Sequence, residues 1–168
     1  MDPDVEFRPL HDHELPHGHA ILCAAFHWLR HRHIQQWTAP MPMSVYQAWQ
    51  RHQWNYGLFV ARELAAVLSL VEGPLDEWRD GSDDAIVLWL HALATATHMK
   101  GRGFGRHVVL CAMGIAQARA SDLYLLCAEG NGFLPAFYAA LGFAEVKRAT
   151  THYAGLGVLG MVLMRRRG

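Results

Sequence analysis

Lys100-Gly101-Arg102-Gly103-Phe104-Gly105 is the stretch on which the fold turns. An almost unbroken apolar run, Ala85 to Thr95, leads into it. Phe104, Val108, Ala112 and Ile115 lead out of it at helical spacing. The pattern predicts a buried strand, a glycine turn and a helix running to about Arg119. Glycine lets backbone approach a ligand closely, and the first N–H groups of a helix have no partner inside it. The helix dipole favours negative charge at that same end. Lys100, Arg102 and Arg106 add positive charge, so the segment is expected to hold a phosphate-bearing ligand.

Spacing separates this loop from better-known ones. A nucleotide P-loop ends in Gly-Lys-Ser/Thr, whereas Gly105 is followed by Arg106-His107. The dinucleotide fingerprint needs a third glycine where Arg106 stands.

Working outward, Val5 to Leu10 reads as a strand and Asp12 to Arg32 as a helix whose start Pro16 and Gly18 delay. Ser44 is a fair N-cap for a second helix, Val45 to about Asn55. Leu58 to Ala61 and Ala65 to Val71 read as adjacent strands joined at Arg62-Glu63-Leu64, a turn without the usual glycine or asparagine. The acidic stretch Asp76 to Asp84 reads as a solvated loop able to attract a cationic acceptor. Beyond the loop helix, Leu123 to Cys127 is a buried strand and Phe133 to Leu141 a helix ended by Gly142. Phe143 to Thr151 and Leu156 to Met164 are closing strands, the last apolar enough to serve a homodimer. The order implies a single α/β domain over 1–168, with helices on a mixed sheet.

With 52% hydrophobic and 18% charged residues, the chain can bury a sizeable core. A formal net charge of zero gives no support to nucleic-acid binding, and no apolar run reaches membrane-spanning length. Cys23, Cys111 and Cys127 lack paired or metal-type spacing and read as buried free thiols of a reducing compartment. The opening Met1-Asp2-Pro3-Asp4 is acidic, unlike a secretory signal. A cytoplasmic protein is expected. Twelve histidines raise a metal hypothesis, but neither the cluster at His11, His13, His17 and His19 nor the pair His27 and His31 has a third ligand at zinc spacing. No metal is expected.

A second motif, Asn131-Gly132-Phe133-Leu134-Pro135-Ala136-Phe137-Tyr138-Ala139-Ala140-Leu141-Gly142-Phe143, follows the next strand. Together with Leu90 to Gly105 it resembles the GNAT superfamily of N-acetyltransferases. Their pyrophosphate loop reads Gln/Arg-x-x-Gly-x-Gly/Ala, and their later helix often carries Asn, Phe-Tyr and Leu-Gly-Phe. Lys100 departs from the usual Gln or Arg but keeps a long hydrogen-bonding side chain. The resemblance covers roughly residues 85 to 145. It implies a GNAT-like fold, a mixed sheet with two splayed parallel strands and helices on both faces.

The resemblance further implies that backbone N–H groups from Arg102 through Gly103, Phe104 and Gly105 to Arg106, with Lys100 and Gly101 at the loop's start, cradle the pyrophosphate of acetyl-CoA. Leu93, Ala94 and Thr95 would offer strand-edge groups to the pantetheine arm. Asn131 matches a position that hydrogen-bonds the cofactor arm, and by itself reads equally well as a turn residue. Tyr138 matches the acid that protonates the CoA sulfur. An alkylammonium must also lose a proton before it can attack a thioester. His91, the one titratable group in the apolar run, is the leading base candidate, and Glu72 at the end of the preceding strand competes with it. Glu129 reads as loop solvation and Cys127 as a small buried hydrophobe.

Aromatic and thioether side chains crowd the early helices, among them Trp28, Trp37, Met41, Tyr46 and Trp49. By the resemblance this region walls the acceptor site; by spacing alone it reads as core. The expected activity is acetyl transfer to a primary amine of a small molecule. A protein N-terminus or lysine is the alternative acceptor, and a non-catalytic CoA sensor the alternative of another class.

Overall fold

The computed structural model describes residues 4–74, 86–153 and 157–168. The acidic stretch Asp76 to Asp84 lies outside the described residues. The elements are β1 (Val5–Pro9), α1 (Leu15–His31), α2 (Met43–Gln50), β2 (Asn55–Val60), β3 (Glu63–Gly73) and β4 (Val87–Thr95). They continue with α3 (Phe104–Ala118), β5 (Leu123–Ala128), α4 (Phe133–Ala139), β6 (Ala144–Tyr153) and β7 (Gly157–Arg166). Short 3₁₀ turns occupy Asp12–Glu14 and Thr97–Met99. The strands form one seven-stranded sheet in the order β1-β2-β3-β4-β5-β7-β6. Only β4 and β5 of these neighbours run parallel, across the α3 crossover.

Period-two alternation sorts side chains onto the two faces. Leu88 and Leu90 of β4 and Leu123, Leu125 and Cys127 of β5 pack with Val108, Val109 and Ala112 of α3 and Tyr138 of α4. Val67 and Ala65 of β3 pack on the other face with Ile21, Leu22 and Ala25 of α1 and Tyr46 of α2. Each fully buried Leu or Val in these layers contributes about 1.5–3 kcal/mol.

Several boundaries differ from the sequence expectation. Pro16 does not delay α1, because the first helical turn needs no N–H from it. Gly18 is fitted into the same helix: a Cβ there would lie 2.8 Å from Tyr46 Oη. Helix α2 opens after Pro42, places Ser44 inside, and stops at Gln50. Asn55 belongs instead to β2, where its buried amide donates to the Tyr46 carbonyl and accepts from Ser69 Oγ at 2.7 Å. The β2–β3 turn sits at Ala61-Arg62, both with positive φ, the geometry of a type I′ hairpin without its usual glycine. The apolar closing strand is not a free edge: β7 lies between β5 and β6, and Met161 to Met164 are all buried by the sheet. Of the three free cysteines only Cys127 is buried.

Candidate active site

The site begins where two parallel strands part. β4 and β5 pair only at Leu88 with Leu123 and Trp89 with Tyr124. Past those pairs the strands share no ladder, and a gap opens toward their C-terminal ends. A bulge on β4 marks the same place. Two residues of β4, Ala92 and Leu93, face one of β3, and Ala92 takes a φ of 53°. The bulge re-aims the backbone of Leu93, Ala94 and Thr95 as the strand runs toward the glycine loop.

That loop has an open inner surface. Gly101 and Gly103 both adopt φ of 80°, a conformation that costs an L-residue about 1–2 kcal/mol. A Cβ built on either would meet nothing within 4 Å. Gly103 is the N-cap of α3, and its carbonyl takes the first helical bond, from His107. The N–H groups of Phe104, Gly105 and Arg106 belong to the first helical turn, which has no internal acceptors for them. Gly105 faces β4, where an added Cβ would make only ordinary contact with Thr95 Oγ1 at 3.6 Å. Arg102 and Arg106 are exposed. Lys100 is not: its ammonium lies 3.5 Å over the Trp28 ring of α1, near Arg32. These residues fit an anion such as a pyrophosphate, with charge supplied from both α1 and the loop.

The two leading catalytic candidates stand on opposite faces. Tyr138 is buried on the α3–α4 side, its ring set edge-on to Phe137 and Phe143. Burial, with Cys127 nearby, pushes its hydroxyl well above the ordinary tyrosine range, so it stays protonated. His91 faces the α1–α2 side between Trp49 at 5.5 Å and Trp89 at 6.0 Å. Burial lowers it to about 4, so its imidazole is neutral at physiological pH. Trp49 is held there through α2, which the Asn55–Ser69 pair ties to the sheet, and Ser69 lies opposite His91 in register.

Glu72 is not brought to this gap. It pairs in register with Leu88, at the closed end of β4, and its carboxylate accepts from Arg119 after α3. Glu129 is ion-paired with Arg148. Burial raises the Cys127 thiol to about 11, which removes it as a nucleophile. Asn131 is buried in the turn after β5; its N–H donates to the Ala128 carbonyl and its carbonyl accepts from Leu134. Among the described residues no group of three His, Cys, Asp or Glu could hold a metal ion. Among them, too, no helix is long and apolar enough to cross a membrane.

Next to His91 a cavity of about 310 Å³ opens beneath the α1–α2 connection, lined by Leu22, Gln36, Trp37, Thr38, Met41 and Ala92 among others. The connection is pinned at two points. His19 Nε2 is 2.7 Å from the Met41 carbonyl, and Gln36 Oε1 accepts the Ala128 N–H at 3.0 Å. Since the next amide, Glu129 N–H, bonds to Gly160 of β7, the Ala128 N–H points the other way, into the gap. Gln36 and the pairing of Trp28 with Lys100 were beyond sequence reasoning, because each is a contact between residues distant in the chain.

Comparison with known proteins agrees with this geometry. Residues 22–143 match the model of the Acetyltransferase (GNAT) family. The chain belongs to that family. No curated protein matches it by sequence. Among solved structures, a GNAT-family acetyltransferase from Listeria monocytogenes 4b F2365 superposes with a TM-score of 0.80 at 14% identity, over 98% of this chain and 95% of that one. The ribosomal-protein-S18-alanine N-acetyltransferase from Escherichia coli gives 0.71 at 17% identity, over 97% and 93%. Arabidopsis thaliana NAA60 in complex with acetyl-CoA gives 0.73 at 14% identity, over 98% and 99%. At such identities the likeness shows the shared fold.

Proposed function

We propose that this protein is an acetyl-CoA-dependent N-acetyltransferase that moves the acetyl group to a primary amine by direct transfer in a ternary complex. The observation that carries this reading is the succession of features along β4: the place where it parts from β5, its bulged end, and the open glycine loop that follows. The loop N–H groups from Arg102 to Arg106, with Lys100, hold the pyrophosphate. Leu93, Ala94 and Thr95 align the pantetheine arm, with Asn131 at the far side of the gap. N–H groups on the facing strand edges beyond the last ladder pair, other than that of Ala128, which Gln36 holds, polarise the thioester carbonyl as charge builds on its oxygen.

Transfer forms one N–C bond and breaks one C–S bond. The amine nitrogen attacks the carbonyl carbon from the α1–α2 side, where His91 accepts a hydrogen bond from it and passes the released proton to water. Tyr138 donates its phenolic proton to the departing sulfur and is reprotonated from solvent. Burial keeps the Tyr138 hydroxyl protonated and so present as a donor, while the same shift weakens it as an acid; the charge building on the sulfur as the C–S bond breaks is what draws its proton. Glu72 has no part in it.

The acceptor is a primary amine, a small molecule on the sequence reading. A protein amine is the second reading, favoured by the ribosomal-protein alanine acetyltransferase among the similar folds. A CoA sensor would not need an acid beside the sulfur. Calorimetry with acetyl-CoA tests the cosubstrate, and thiol release across an amine panel tests turnover. Absence of binding at millimolar acetyl-CoA would overturn the assignment.

A further inference from the structure

We propose that the acceptor is the α-amine of a peptide's N-terminal residue bearing an uncharged side chain, and that Gln36 is the residue that recognises it. The inference narrows the acetyl-transfer reading above and rests on it.

The cavity beside His91 has a restricted chemistry. Among the described residues lining it there is no carboxylate, lysine or arginine. A polyamine or aminosugar would bring several ammonium groups against a wall whose described residues have nothing to pair them, at a cost of several kcal/mol for each buried charge. A free amino acid would bring an unpaired carboxylate. What the wall offers is apolar contact from Leu22, Trp37 and Met41, and polar contact from Gln36, Thr38 and His91. At about 310 Å³ it is at the small end of ligand pockets, room for a residue or two.

Gln36 gives the site its direction. Its side-chain oxygen is committed to the Ala128 N–H at the mouth of the gap. That contact fixes which end of the amide is which, and leaves the NH₂ group as the donor on the cavity side. A donor on the same cavity wall as His91 suits an acceptor with a carbonyl next to its amine. An amine with an adjacent carbonyl but no carboxylate is the first residue of a peptide.

The proton balance agrees. With Glu72 ion-paired at the closed end of β4, no described carboxylate is placed to strip an alkylammonium. An α-amine, with a pKa near 7.7–8.0 against about 10.4 for a lysine side chain, is already substantially neutral at physiological pH. A neutral His91 that only accepts a hydrogen bond suffices for it.

The test uses the full chain with acetyl-CoA and measures thiol release. Four acceptors are compared: a lysine-free peptide with a free N-terminal leucine, an N-terminally blocked peptide with one lysine, free leucine, and spermidine. The free N-terminus should exceed the others in kcat/KM by about 10-fold or more. Gln36→Ala should lower the ratio of kcat/KM for that peptide over hexylamine, which has no carbonyl, by about 5-fold, the size of one neutral hydrogen bond. A preference for spermidine, free leucine or the blocked peptide overturns the proposal, as does an equal loss on peptide and hexylamine. Acetyl-CoA binding without turnover of the peptide also overturns it. Failure to bind acetyl-CoA instead brings down the acetyltransferase reading itself.

Discussion

The Lys100 ammonium lies 3.5 Å over the Trp28 ring, and the Arg32 guanidinium carbon lies 4.7 Å from the same ring. Two cations from distant parts of the chain thus share one indole at the edge of the glycine loop. Burial and Arg32 together hold Lys100 below the ordinary lysine range. No described carboxylate is ion-paired to either, and on the proposed function a bound pyrophosphate would relieve both. Lys100→Ala should weaken acetyl-CoA about 10-fold, and less at high salt, while hardly changing the affinity for acetylpantetheine, which has no pyrophosphate. Calorimetry on the two ligands checks this; equal losses would place Lys100 outside the phosphate site.

Gly103→Ala separates folding from binding. A Cβ there meets no atom, so the folded protein loses only the backbone strain of about 1–2 kcal/mol. Gly103 is the N-cap next to the N–H groups proposed to hold the pyrophosphate, however, and acetyl-CoA affinity should fall by more than 10-fold. Denaturant unfolding and calorimetry measure the two effects. Retained affinity would mean that the loop is an ordinary turn.

Tyr138→Phe should lower kcat about 100-fold with little change in acetyl-CoA affinity, because the ring contacts with Phe137 and Phe143 remain. Since the hydroxyl is held above the usual tyrosine range, the wild-type rate should show no alkaline decline from this group below pH 10. Stopped-flow or steady-state rates on the variant decide the matter, and an unchanged kcat excludes Tyr138 as the acid.

His91 makes a prediction about stability and pH. Its folded pKa of about 4 lies below the unfolded value near 6.5, so in that window the unfolded chain binds the extra proton. The neutral imidazole is therefore no burden above pH 6.5. As pH falls from 6.5 toward 4, stability drops, by at most about 3 kcal/mol from this group. His91→Gln should flatten that part of the curve in urea unfolding at stepped pH. A curve of unchanged slope would contradict the burial assigned to the ring.

Tyr46 tests a different kind of economy. Its hydroxyl is fully buried and, among the described residues, has no hydrogen-bond partner. Tyr46→Phe removes an unsatisfied group while keeping the ring, and should be neutral or stabilising by up to about 1 kcal/mol. Thermal unfolding that shows a loss above 1 kcal/mol would point to a bound water serving the hydroxyl.

The local features were legible in sequence because they are set by residues close together in the chain. Glycines at 101 and 103 are demanded by positive φ, the stripe from Phe104 to Ile115 by helix geometry, and the run into Thr95 by burial on both faces. These placed the strand, the glycine turn and the helix after it; the parallel pair was expected from the family resemblance, and Tyr138's helix from the second motif. Burial alone did not reveal that the apolar β7 lies inside the sheet, since an interior strand and an associating edge look alike in composition. Nor could spacing tell that Glu72 ends at the closed side of the gap, or that Gln36 reaches Ala128. Those are contacts between residues far apart in sequence, fixed by where strands part and which way an amide N–H points. The sequence by itself determined an α/β chain with an anion loop and a GNAT-type second motif. Tertiary structure decided which polar groups line the cavity beside His91, because only packing brings the α1–α2 connection, β4 and β5 together.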